Sequence, residues 1–154
     1  MRQFKILLRI TTLATLLITG LSWKAPDETC HKINAKGKGT TVSMSASGVT
    51  TTADLIGGGL LNGTTRADFV FTGLSGEEVF FTGTLVLTTK YGTVTYQVTS
   101  GTFNTSTLEF SSDLRVVEGE GRFAGATGTL HLSGANNPDG TFTEAISGVI
   151  CLSK

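Results

Sequence analysis

Residues 118–128 read Glu-Gly-Glu-Gly-Arg-Phe-Ala-Gly-Ala-Thr-Gly, a glycine-dense stretch between two strand-like segments. Glycine tolerates positive φ and lets backbones approach closely, so Gly119, Gly121, Gly125 and Gly128 give the chain a tight corner. Phe123 is the one large apolar side chain in the stretch that can pin such a corner to a core. The stretch therefore predicts a sharp turn in a closed sheet, with Arg122 tying the corner down through a hydrogen bond or an ion pair to Glu118 or Glu120.

Outward from this corner, nearly every segment alternates apolar with polar side chains and is rich in threonine, valine and phenylalanine, the pattern of half-buried strands. Strands are predicted over 30–38, 41–47, 65–71, 78–88, 94–99, 108–117, 128–133 and 141–152, with no significant helix after the first 22 residues. Eight strands joined by short turns predict an all-β fold, a single eight-stranded antiparallel up-and-down barrel. Asn137-Pro138-Asp139-Gly140 is a strong hairpin turn, with proline presetting φ and glycine closing the turn.

Successive side chains of a strand point to opposite faces, and this parity sorts the interior from the surface. Phe69, Phe71, Val79, Phe81, Tyr96, Leu108, Phe110, Phe142, Glu144 and Ile146 fall on inward faces, whereas Phe80, Val86, Val117 and His131 point out. Cys30 and Cys151, the only cysteines, fall on outer faces at the start of the first strand and the end of the last. A closed sheet brings them to one rim. A disulfide there would seal the seam; the alternative is two thiols that are buried or paired between molecules.

The first 22 residues read as an export signal: Arg2, Lys5 and Arg9 precede an apolar run that ends in small residues, too short to span a bilayer. The expected organisation is a signal peptide over 1–22, a short linker over 23–29 and a barrel over 30–154, secreted or periplasmic and free of the membrane after cleavage. Export also suits a disulfide. The 12 basic and 12 acidic residues of the whole chain balance. Loss of the three in the signal leaves an excess of acid and no basic cluster, which argues against nucleic acid as a partner.

Gly121-Arg122-Phe123-Ala124-Gly125-Ala126-Thr127-Gly128, with the strands on either side, resembles the glycine-rich signature of the allene oxide cyclase and dirigent-like barrel superfamily, most nearly its secreted bacterial members of unassigned role. Glu118 and Glu120 stand where that family often has glycine and threonine. The resemblance implies a barrel of calycin-like shape with an apolar interior, a monomer or homotrimer, and in the characterised plant members an action on hydrophobic small molecules.

Two readings of function follow. In the first, the barrel binds a small apolar ligand, with Phe69, Phe71, Phe81, Phe110 and Phe142 as its lining, or serves as a structural or interaction module. The second is a lyase or isomerase of the allene oxide cyclase type, with Glu144 as acid or base and Tyr96 orienting a ligand oxygen. An eight-stranded barrel is just wide enough to fill with side chains or to hold one small ligand, and the sequence leaves both open. Glu144 is the singular residue: in an apolar lining its pKa would rise by desolvation, whereas at the barrel mouth it would reach water or pair with an arginine. No motif for a cofactor or a metal is present.

Overall fold

The computed structural model describes residues 28–154; the signal expected over 1–22 lies outside them. Eight strands follow one another: β1 (Glu28–Ser45), β2 (Gly48–Ile56), β3 (Gly63–Ser75), β4 (Glu78–Thr89), β5 (Gly92–Asn104), β6 (Glu109–Gly119), β7 (Thr127–Asn136) and β8 (Thr141–Ser153). Each pairs antiparallel with its sequence neighbours, and β8 returns to β1, so the barrel is closed. Among the described residues, two single-turn 3-10 helices interrupt the strands, at Gly59–Leu61 and Gly121–Phe123. Closure leaves no sheet edge for another chain to pair with.

The strand count is as expected, but the first two strands differ. Segment 30–38 and residues 41–45 of segment 41–47 belong to one strand of 18 residues, and β2 occupies a region read as loop. The misreading traces to Gly37 and Gly39, which look like punctuation and instead clear space inside the barrel. A Cβ at Gly37 would lie 2.6 Å from Cγ and Oε1 of Glu144, and one at Gly39 would collide with the Phe142 ring. The barrel also begins at Glu28, two residues before its predicted start at residue 30. Leu108, expected on an inward strand face, instead occupies the turn before β6 with φ +61°.

Parity holds through most of the sheet. Ile33, Ala35, Phe81, Leu85, Leu87, Tyr96, Leu114, Leu130, Ile146 and Ile150 are buried, while Phe80, Val86 and Val117 face outward. The two ends of the barrel are built differently. At one end, where β1 begins and β8 finishes, Leu61, Leu87, Val94, Tyr96, Phe123 and Ile150 are fully buried and fill the interior.

The glycine-rich corner closes that end. Gly121 and Gly125 take φ of +63° and +71°, and Phe123 turns inward with no exposed surface. Burying a phenylalanine side chain contributes about 2–3 kcal/mol. Arg122 does tie the corner down, through a partner other than the expected glutamates: its guanidinium lies 5.5 Å from the centre of the Tyr91 ring, and its backbone N–H donates to the Tyr91 carbonyl at 2.9 Å. Glu120 instead accepts a hydrogen bond from Thr93 Oγ1 at 3.2 Å.

Beside the corner, Cys30 and Cys151 stand directly opposite each other on β1 and β8 and form a disulfide. At the far end, the Asn137–Gly140 turn is as predicted. The Gly140 N–H donates to the Asn137 carbonyl, Gly140 takes φ of +83°, and Asp139 Oδ1 accepts from both the N–H and the hydroxyl of Thr141.

Candidate functional site

The half of the barrel away from the corner is hollow. A cavity of about 250 Å³ opens between the β1–β2 and β3–β4 hairpins, and six phenylalanines line it: Phe69, Phe71, Phe81, Phe103, Phe110 and Phe142. All five phenylalanines expected to line a ligand site meet here. The interior is thus neither solid nor empty throughout, because one half is filled and the other holds the space.

The rings are fixed by one another and by glycine. Phe69 and Phe81 stack at a tilt with centroids 5.0 Å apart, and Phe110 meets Phe142 edge to face at 5.9 Å, arrangements favoured by the aromatic quadrupole. Across the strands, Phe142 leans over Gly39, Phe81 over Gly101 and Phe110 over Gly134. A side chain at any of these glycines would drive a ring from its place. Met44 and Val49 stand at the open end, where Met44 is mostly exposed.

Glu144 is on the cavity wall, not in water at the mouth. It is 8% exposed, and Oε1 finds no hydrogen-bond partner among the described residues. Its strand partners are Gly37 on β1 and Gly134 on β7, so its flanks within the sheet carry no side chain. Neither arginine nor lysine pairs with it among the described residues, where the ion pairs are Arg66–Asp68 and His131–Asp113, both on the outer surface. With no donor to stabilise the anion, burial raises its pKa from 4.5 to about 7.

Tyr96 lies deeper. It pairs with Leu85 and Val116, is fully buried, and is absent from the cavity lining. Its hydroxyl has no partner among the described residues, and burial pushes the phenol pKa well up. His31 stands opposite Ile150, six residues along β1 from the Gly37–Glu144 pair. That is about 20 Å at the rise of a strand, so the two cannot form a dyad. His131 points outward as expected, with Nδ1 2.9 Å from Asp113 Oδ1 and Nε2 3.3 Å from Ser111 Oγ.

Some inward residues escape the sequence reading. Phe103 follows Gly101, which reads as the end of a strand. Irregular register between Val98 and Ser100 on β5 then shifts parity, so that Phe103 faces in. Thr65 is buried on β3, where its hydroxyl donates to the Ala53 carbonyl at 3.3 Å. Ser112 shares the inward face of Phe110 and Leu114 and is buried without a partner for its hydroxyl among the described residues; a polar residue does not register in a search for apolar alternation, although its parity was available.

In sequence, no protein-family model and no curated protein matches this chain. In structure, the barrel is similar to the pterocarpan synthase dirigent protein, with a TM-score of 0.53 and 14% identity over 85% of this chain and 94% of that one. At this identity the likeness shows a shared dirigent-like barrel fold.

Proposed function

We propose that this protein is an exported, non-enzymatic barrel that binds one small, largely apolar molecule in its phenylalanine-lined half. The observation that carries the reading is the cavity itself: about 250 Å³, open at one end and walled by six aromatic rings. Ligand sites are concave and mostly apolar with few polar groups, and this volume suits a guest of one or two rings. The basic and apolar start of the sequence supports export, and the disulfide is consistent with an oxidising compartment.

The test is fluorescence titration with the neutral apolar dye N-phenyl-1-naphthylamine. Saturable binding with one site is expected, weakened at least tenfold by Ala67→Leu, which places a larger side chain into the cavity wall, with thermal unfolding as the check on folding. Absence of saturable binding by the native protein would overturn the reading. Native mass spectrometry of protein purified from its host would then identify the molecule retained.

The buried, unpartnered Glu144 favours a second reading, acid or base catalysis on a hydrophobic substrate in the manner of an allene oxide cyclase. A carboxyl with a pKa near neutrality can donate or accept a proton at physiological pH. Recovery of the bound molecule unchanged in mass and structure supports carriage; conversion to an isomer, lost in Glu144→Gln, supports catalysis.

A further inference from the structure

A purely apolar guest would fill the cavity and leave Glu144 Oε1 as it is, buried and without a hydrogen-bond partner among the described residues. An unpaired polar atom in such a place costs free energy, and a ligand that brings a donor or a positive charge to it gains what the fold forgoes. Two features narrow the chemistry of that partner. Phe142, two residues along β8 from Glu144, leans over Gly39, and Phe110 leans over Gly134, the β7 partner of Glu144, so both rings lie next to Glu144 in the cavity wall. Aromatic faces attract cations and repel anions.

The surroundings of the carboxyl supply no competing charge. Among the described residues, Glu144 is the only titratable side chain lining the cavity. On the elements packed against it, the inward side chains near its carboxyl are those of Leu55 from β2 and Phe142 and Ile146 from its own strand, with glycine opposite on β1 and β7. Lys36 and Lys38 on β1, Asp54 on β2 and His131 on β7 alternate to the outer surface.

We infer that the cavity takes a hydrophobic organic cation, an ammonium group carried on a small apolar body, with the ammonium held between the Glu144 carboxylate and the rings of Phe110 and Phe142. This rests on the reading of the cavity as a ligand site and names the class of its ligand. The remaining rings, Phe69, Phe71, Phe81 and Phe103, receive the apolar body. A carboxylate or phosphate ligand is excluded by the same wall, since it would face a buried acid and the negative faces of the rings.

Two probes of nearly identical shape separate charge from fit: benzyltrimethylammonium, and neopentylbenzene, in which carbon replaces the ammonium nitrogen. Binding is measured by displacement of N-phenyl-1-naphthylamine. At pH 8.5 the cation is expected to bind at least tenfold more tightly than its neutral isostere. The preference shrinks towards unity at pH 5.5 as Glu144 takes up a proton. In Glu144→Gln the preference for the cation over its neutral isostere is lost at both pH values.

Equal or tighter binding of neopentylbenzene at pH 8.5 would overturn the inference and leave the apolar binding site standing. Displacement by neither probe, from a protein that also fails to take up the dye, would overturn both. The pH series on the unaltered chain needs no variant, so a Glu144→Gln protein that failed to fold would not shield the inference from test.

Discussion

Burial makes the neutral acid the preferred form of Glu144 over a wider pH range than in an exposed carboxyl. Its pKa is about 7 in the folded protein against an ordinary 4.5, because burial disfavours the anion. The folded state therefore keeps a proton that the unfolded chain gives up between these values. Stability is full below pH 4.5, falls as the pH rises through the window to 7 and is level above it, by about 3 kcal/mol in all. Chemical denaturation at pH 4.5 and pH 8 should show that fall, and Glu144→Gln should remove most of it; a native protein whose stability from this residue rises with pH would contradict the buried acid. Parity alone placed Glu144 and the five phenylalanines on inward faces, because period-two alternation is a property of the strand. Whether Glu144 met an arginine was beyond it, since a partner for an inward residue is set by register across several strands. The absence of any pairing lysine or arginine among the described residues belongs to that level of description.

At the scale of the element, glycine has two uses here that look alike in the sequence. Gly121 and Gly125 turn the chain through positive φ, whereas Gly37, Gly39, Gly101 and Gly134 lie within strands and leave room for a neighbour's side chain. Only the first use is local. The second depends on which residue stands opposite, so β1 read as two strands and β2 was missed, while the corner at 118–128 and the turn at 137–140 were legible from their own residues. Gly39→Ala should displace the Phe142 ring and lower stability by about 1–3 kcal/mol, the usual range for overpacking. Urea denaturation would measure it, with loss of apolar-dye affinity as the companion effect; a stable variant with unaltered affinity would mean that the ring has space to yield.

Across the whole molecule, the work is divided between the two ends of one barrel. The filled end carries the corner, Phe123 and the Cys30–Cys151 bond, which joins residues 121 apart in sequence. Closing so long a loop lowers the entropy of the unfolded chain by an amount worth about 4–5 kcal/mol in the chain-entropy model. The paired substitution Cys30→Ser with Cys151→Ser should reduce stability by up to that amount in thermal or denaturant unfolding, and leave dye affinity nearly unchanged because the bond lies at the end remote from the cavity. An equal loss of affinity in the still-folded variant would show that the two halves are coupled. Closure of the sheet and this pairing were legible from parity and from where the cysteines fall; the division of the interior was not, because hollow and filled layers are written with the same alternation of apolar residues.

The strand that opens the barrel and the strand that completes it share the sealed end, with Glu28 opposite Ser153. Whatever is joined to the chain at either side of that pair, a tether, an affinity tag or a fused domain, is anchored at the opposite pole from the entrance to the cavity. Fixed to a solid support through Lys154, the protein would present its entrance to the bulk solution.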